Sequence, residues 1–342
     1  MKKNLLAVVL VTIVLFNLGC KKSPTEVIDN TQPGRRDYVW TVDTIVGSNN
    51  WFTAITGSSP ADLWTVDPGD AGKIFYHFDG NLWQTDLVPR NYSPLGIFSA
   101  TADKVWSCGY RGKIWCFEGG VWKEEYGHVI DGVTEIFFQD ILTISANDIY
   151  AVGQYWDKQG YWGIILHYNG TSWTQINIPQ IRTALIKISQ SSNGRFYLLG
   201  VSNEQFTEST YQLYEFDRYT VTKLMSGTQA NDQKGGILKL GNKVDFIIGF
   251  DLYGYDKGNF LKIGRLSDAP EFLNVGFGRN TKDIFLGMRD GIAHYNGEDT
   301  KYLIKTNNNV WIRNGIIFEK EVFFVGSELN GNNLIFHGKV KE

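Results

Sequence analysis

The chain has no surplus of positive charge: its formal net charge is −3, its pI is about 6.0, and no Lys/Arg stripe runs through it. That excludes the basic field that nucleic-acid binding needs. Proline is scarce, with eight in 342 residues, and neither helical periodicity nor Ala-Glu-Lys-Leu patterning is present. No phosphate-cradling glycine loop, Ser-His-Asp order or zinc motif occurs. After the first apolar run no second one is long enough to span a bilayer. What is abundant is aromatic side chain, 14 % of the residues, together with 37 glycines. This is the composition of an all-β protein, whose broad rings fill the space between twisted sheets.

At the start, Lys2 and Lys3 precede an apolar run over residues 5–16, too short to cross a membrane comfortably. Residues 1–19 read as a signal peptide. Leu18, Gly19 and Cys20 resemble the end of a bacterial lipobox, which implies that Cys20 is lipidated and becomes the mature N-terminus. Asn17 stands where a lipobox usually has leucine, and a plain signal peptide with an incidental cysteine is the alternative. Residues 20–37 are polar, with Pro24, Pro33 and Gly34, and suit a flexible tether reaching roughly 50 Å. Lys21 and Lys22 directly after the cysteine imply, by the same resemblance, the outer membrane. The expectation is an exported protein, lipid-anchored in the cell envelope and touching membrane through that anchor alone.

From residue 38 to 342 one phrase recurs. It is an Asp, a few apolar or aromatic residues and a Gly, then a hairpin that closes on Trp, as between Asp62 and Trp83, Asp103 and Trp122, and Asp148 and Trp173. Further copies start at Arg195, Lys243, Asp283 and Glu321, making seven. A spacing of roughly 40 to 50 residues suits a blade of four short strands. First strands are predicted near residues 52–55, 186–189 and 315–318, and third strands near 74–78, 164–168 and 292–295. Between third and fourth strands stand Asp79-Gly80, Gly119-Gly120, Asn169-Gly170 and Asn296-Gly297. Such dipeptides tolerate positive φ and predict tight hairpin turns.

The ends of this domain complement each other. Residues 334–340 form a third-type strand with no fourth after it, and residues 38–45 form a fourth-type strand with no third before it. Trp40 takes the place of Trp83, Trp122 and Trp173. The fold expected is a seven-bladed β-propeller of four-stranded blades, its ring closed by the N-terminal strand completing the C-terminal blade. Rings of six or eight blades remain open, because the repeats between Thr220 and Leu266 are degenerate.

The segment Asp148-Ile-Tyr-Ala-Val-Gly153, followed by Leu-His-Tyr-Asn-Gly-Thr-Ser-Trp ending at Trp173, resembles a kelch-type blade. The resemblance covers the whole domain loosely. Kelch blades end the second strand with a Gly-Gly doublet; here Gly109, Gly153, Gly200, Gly249, Gly287 and Gly326 each stand alone, which implies a kelch-like relative. The Asn-Gly-x-x-Trp tail is also similar to the Asp-box turn of sialidase propellers, but no copy has the Ser-x-Asp that opens that box. The copper site of galactose oxidase, a distant propeller relative, needs two His and two Tyr on the axis. Here only His128 is left to offer.

His77, His167, His294 and His337 occupy one repeat slot on third strands, in different blades, so they cannot converge on one metal. Cys116 and Glu215 fill the same slot elsewhere. Cys108 and Cys116 lie diagonally on neighbouring strands of one hairpin, which leaves both a disulfide and two buried thiols open. A ligand is expected on the face built by second-to-third strand loops and blade connections. There, residues 154–162 bring Tyr155, Trp156, Tyr161 and Trp162 around a polar turn, for sugar stacking, for a protein partner, or for packing on a neighbouring blade. The same face carries Arg90, Tyr92, Arg111, His128, Asp131, Arg182, Arg289, Asp290 and Trp311. Its arginines either cup a carboxylate or are solvated rim charges. The turn at residues 67–72 offers oxygen ligands but too few for an EF-hand loop.

No cofactor or metal is implied, and among Asp131, Asp157, Asp232 and Asp290 no spacing singles out a glycosidase pair. The function expected is non-catalytic binding of a glycan or envelope protein. Alternatives are a polysaccharide hydrolase or lyase, and a structural component of an envelope assembly.

Overall fold

Each repeat centres on a short, mainly apolar run in its second strand, buried on both faces, such as residues 149–152 or 284–286, too short for a helix and in a strand bounded by turns. The computed structural model describes residues 32–342 except 47–50, 70–72, 203–208, 229–234, 268 and 307–309. The signal segment, Cys20 and most of the expected tether lie outside the described residues, as does Asp232. Among the described residues no helix is long and apolar enough to cross a membrane.

The chain opens with β1 (Tyr38–Ile45) and then lays down antiparallel meanders of four strands. The first is β2 (Ala54–Ser59), β3 (Asp62–Val66), β4 (Phe75–Phe78) and β5 (Trp83–Thr85); the second is β6 (Pro94–Thr101), β7 (Lys104–Gly109), β8 (Lys113–Glu118) and β9 (Val121–Gly127). Next come β10 (Glu135–Ser145), β11 (Asp148–Asp157), β12 (Gly160–Tyr168) and β13 (Trp173–Gln175), then β14 (Ala184–Gln190), β15 (Phe196–Ser202), β16 (Thr210–Phe216) and β17 (Val221–Thr228). They are followed by β18 (Gly235–Leu240), β19 (Lys243–Ile248), β20 (Asp251–Asp256) and β21 (Asn259–Arg265), and by β22 (Phe272–Asn280), β23 (Asp283–Met288), β24 (Gly291–Tyr295) and β25 (Thr300–Lys305). The last three, β26 (Val310–Ile317), β27 (Glu321–Glu328) and β28 (Asn333–Val340), take β1 as their fourth, in the order β1-β28-β27-β26.

The first strand of each meander packs on the first strand of the next: β2 on β6, β6 on β10, β10 on β14, β14 on β18, β18 on β22, β22 on β26, and β26 back on β2. The ring therefore closes, and the fold is an all-β propeller with four-stranded blades. The sequence predicts seven separate sheets, whereas the structure has five of four strands and one of eight. The difference arises where β18 and β22 pair in parallel, Lys239 with Phe277 and Leu240 with Gly278. Gly276 and Gly278 leave β22 bare enough for this approach; a Cβ on Gly276 would lie 2.8 Å from Leu238 Cδ2.

Closure by the N-terminal strand is unbroken, with eight residue pairs from Tyr38 opposite Val340 to Ile45 opposite Asn333. Trp40 faces Gly338, the residue after His337, just as Trp83 faces Phe78, Trp122 faces Phe117 and Trp173 faces Tyr168. The core is a set of separate clusters, each filling the gap between neighbouring meanders. In one of them Trp122 stacks on Phe75 at 3.6 Å and 3°. The indole Nε1 of Trp64, Trp106, Trp122 and Trp173 has no acceptor, so these rings serve the gaps as hydrophobes.

Two local expectations change. Of the four turns predicted, Gly119-Gly120 alone makes a two-residue hairpin loop with both φ values positive, 62° and 82°. At Asp79, Asn169 and Asn296 the loop has four residues, because the side-chain oxygen accepts the amides two and three residues on and the following glycine alone takes positive φ. The lone glycine that ends each second strand also has a physical cause. Opposite Gly109, Gly153, Gly200, Gly287 and Gly326 the first strand bulges, and a Cβ on Gly153 or Gly109 would sit 1.8 Å from Phe137 O or 2.1 Å from Ser93 O, whereas Gly249 follows β19 in a turn at φ 62° with no bulge opposite.

Candidate functional site

The histidine slot belongs to the walls of the ring. His77 bonds Asp62 at 2.7 Å, His167 bonds Asp148 at 2.8 Å, His294 bonds Asp283 at 2.7 Å and His337 bonds Glu321 at 2.6 Å. Each imidazole packs on the aromatic directly across the strand pair: Trp64, Tyr150, Phe285 or Phe323, at 4.1–4.7 Å. Acid, ring and imidazole thus form a clip repeated within single blades. In β14–β17 the polarity is reversed, with Arg195 in the acid slot paired to Glu215 in the histidine slot. Cys116 takes the slot across from Trp106. Burial lowers the pKa of His294, and Arg36 Nε approaches its Nδ1 at 3.3 Å, so this ring stays neutral.

Cys108 faces Ile114 and Cys116 faces Trp106, the diagonal offset expected from sequence, and both thiols are free and buried. Burial pushes Cys116 up to about 12 and Cys108 well above its ordinary value, so neither supplies a thiolate near neutral pH. Among the described residues no three His, Cys, Asp or Glu side chains group to hold a metal. Asp67 is fully buried, bonding the Gly69 amide and Asn333, while the rest of its turn, 70–72, is outside the described residues.

On the expected ligand face, burial removes two candidates. Arg90 is buried, forks onto Asp86 at 2.9 and 2.5 Å and lies over Phe75 and Trp115. Tyr92 is buried on Trp115 with its hydroxyl 3.0 Å from Ser107 Oγ. Both hold adjoining sheets together. Arg111, at φ 61°, is exposed and donates to Asn91 at 2.6 Å. His128 lies 3.1 Å from both the Tyr126 hydroxyl and Gln175 Oε1, and burial lowers its pKa.

The stretch 154–162 is a hairpin rather than a loop, because β11 runs to Asp157 and β12 starts at Gly160. Tyr155 faces Trp162 and Trp156 faces Tyr161 in register, so the pleat separates the four aromatics into two pairs. Trp162 is buried, gives its indole N–H to Asp157 at 2.9 Å and carries Arg182 at 5.0 Å. Trp156 is exposed and 5.1 Å from Tyr161. Asp290 likewise is engaged, accepting from the Tyr302 hydroxyl at 2.5 Å.

Arg289 and Trp311 do come together, with two residues that the sequence did not single out. Arg289 lies over the Trp311 ring at 5.6 Å and is paired to Glu271 at 3.3 Å. Arg313 lies 5.6 Å from the same ring and 4.8 Å from that of Trp51. Both indoles are open, Trp311 at 40 % and Trp51 at 44 % exposure. The result is a ladder of alternating cations and rings, each contact a cation–π attraction.

Local structure explains the ladder. Arg313 is the extra residue of the bulge between Ile312 and Asn314 in β26, and the same bulge elsewhere carries Leu95, Gln139 and Ile186. A bulge re-aims the side chain it carries. The signal in the sequence was the spacing of Trp311 and Arg313 ahead of the lone Gly326, legible only once that glycine is known to mark a bulge.

No family model matches this chain, and no curated protein matches it. Solved structures do. A protein described as YCF48 bound to D1 peptide is similar over 91 % of this chain and 100 % of its own, at 13 % identity and TM-score 0.63. Virginiamycin B lyase from Staphylococcus aureus with quinupristin is similar over 87 % of this chain and 99 % of its own, at 12 % identity and TM-score 0.58. The WD40 β-propeller domain of Doa1 covers 87 % of this chain at 13 % identity and TM-score 0.57. These likenesses carry the fold, a β-propeller.

Proposed function

We propose that the chain is an exported propeller that recognises a protein partner, as an extended peptide, without catalysing a reaction. The observation that carries this reading is the pair of open indoles, Trp51 and Trp311, which both lie against Arg313. Tryptophan and arginine are the residues that dominate binding energy in protein interfaces. The likeness to YCF48, solved with a peptide from D1, supports a peptide over a glycan as the ligand. Of the carboxylates weighed for a glycosidase, Asp157 accepts from the Trp162 indole and Asp290 from the Tyr302 hydroxyl. We count the eight-stranded sheet as two blades, giving seven, since each of its meanders contributes its own first strand to the closed ring.

The anchoring belongs to the same proposal: Lys2, Lys3, the apolar run that follows and Leu18-Gly19-Cys20 support export and lipid attachment at Cys20, and Lys21 and Lys22, by resemblance, support the outer membrane. Incorporation of labelled palmitate into the expressed chain, lost in C20A, is the expected outcome; labelling that survives C20A overturns the anchor. For recognition, the full chain is panned against a displayed peptide library and applied to a glycan array. Peptides whose binding falls roughly tenfold or more in a W51A/W311A double variant are expected. Glycan binding alone, or peptides indifferent to both tryptophans, overturns the reading.

A further inference from the structure

Arg313 differs from every other arginine that is at least partly withdrawn from water. Arg36, Arg90, Arg218 and Arg279 each hold a carboxylate at 2.5–2.9 Å. Arg313 holds none among the described residues, and its Nε, like that of Arg279, is buried without an acceptor. Burial lowers its pKa from the ordinary value. A guanidinium brings five N–H donors and a full charge, and Arg313 is partly withdrawn from water with its Nε wholly so, which is unfavourable without an acceptor. The two indole rings lie 4.8 and 5.6 Å from the group and offer no lone pair to its N–H edge.

We propose that Arg313 is the anchor for one carboxylate of the peptide partner, a C-terminus or an Asp or Glu side chain, with Trp51 and Trp311 packing on its flanking groups. This rests on the recognition reading above and adds the chemistry of the ligand. A planar guanidinium matches a carboxylate through two parallel N–H bonds. The site takes a monoanion because only one cation is uncompensated, Arg289 being already met by Glu271 at 3.3 Å. A dianionic phosphate would bring a second negative charge toward Glu271 with no second free cation to meet it.

The test titrates the full chain with benzoate, benzamide and phenyl phosphate while following the indole N–H resonances of Trp51 and Trp311, assigned through W51F and W311F. Benzoate is expected to move both signals saturably, phenyl phosphate more weakly, and benzamide, the same ring without charge, not at all. R313Q should weaken benzoate binding roughly tenfold or more. R313K, which keeps the charge and loses the fork, should retain part of it. Unmoved indole signals of buried Trp106 and Trp122 certify that R313Q is folded; if they move, the R313K result decides. Benzamide binding as tightly as benzoate, or benzoate indifferent to both substitutions, overturns the proposal.

The two readings fail separately. Benzoate binding that depends on Arg313, with no peptide recovered by panning, leaves the carboxylate site standing and ends the peptide reading. Selected peptides that bind R313Q as tightly as the parent do the reverse. Selected peptides made with a C-terminal acid and with a C-terminal amide distinguish a terminal carboxylate from a side-chain one.

Discussion

The blade β10–β13 and the meander β18–β21 solve the same packing problem by different means. In β10–β13 Asp148, Tyr150 and His167 form the full clip, and Arg218 from the next blade adds a second bond to Asp148 at 2.9 Å. In β18–β21 the acid slot holds Lys243 and the ring slot holds Asp245. Asp245 is fully buried; Lys243 Nζ stands 2.8 Å from Oδ1 but off the hydrogen-bonding direction, so neither oxygen has a directed donor. This is the meander whose first strand also pairs with the strand of its neighbour, β22. The meander without a clip thus gains backbone pairing from its neighbour β22–β25, which keeps a full clip of Asp283, Phe285 and His294.

Removing the ring from the intact clip breaks this contrast most sharply. Tyr150 is 1 % exposed, between His167, Phe196 and Phe216, and Y150A should lose about 3–5 kcal/mol in urea unfolding. A loss under about 1 kcal/mol would show that the clip is not what holds this blade.

Asp140 tests the same blade through pH. Its carboxylate accepts the Ile188 amide of the next blade at 3.0 Å, and burial raises its pKa to about 6. The folded protein therefore binds a proton more strongly than the unfolded chain, whose carboxyl titrates near 3.9. This contribution to stability is present at low pH and is lost as pH rises from about 4 to about 6. D140N should remove that decline and gain on the order of 2 kcal/mol at pH 7 relative to it. Stability curves of parent and variant that run parallel across that window would refute it.

In the weaker meander the sign of substitution should be favourable. D245N removes a buried charge whose pKa is raised by burial, with an expected gain of about 1–2 kcal/mol at pH 7. Thermal unfolding above pH 6 reads it, and a destabilised D245N would mean that Lys243 is a better partner than its geometry indicates.

The smallest effect is expected at the seam between blades. Arg218 adopts φ 83° to place its guanidinium on Asp148 and Tyr150. R218A keeps the unfavourable backbone and loses an ion pair whose arginine is 39 % exposed, which should cost about 0.5–1 kcal/mol. R218G, free of the backbone penalty, should cost less. If R218G costs more than R218A, the turn is set by something other than this contact.

The same contrast explains what the sequence could and could not reveal. Asp62-Leu-Trp, Asp148-Ile-Tyr and Asp283-Ile-Phe spell the clip openly, and the ring closure follows from Trp40 sharing a slot with Trp83, Trp122 and Trp173. Arg195 with Glu215 hides the clip by exchanging its charges, and Asp245 in a ring position erases it, so residues 220–266 read as degenerate. On the ligand face the obstacle was strand length. β11 and β12 extend through the presumed loop, so pleat alternation buries Trp162 and exposes Trp156. Arg90 and Tyr92 carry no local mark of burial, which comes from the facing blade through Phe75 and Trp115. Arg313 was invisible because a bulge decides where it aims.

The zipper between β1 and β28 has a mechanical side. Tyr38 lies opposite Val340, Arg35 holds the carbonyl of Lys341 at 2.8 Å, and Arg36 grips Asp299 at 2.6 Å. Any pull delivered through the residues before Tyr38 arrives first at these arginines, which spread it over two blades before it reaches the first rung of the zipper. Traction between the two chain ends instead opens that zipper rung by rung from Tyr38, so the ring resists a load from one end better than a load that parts the two.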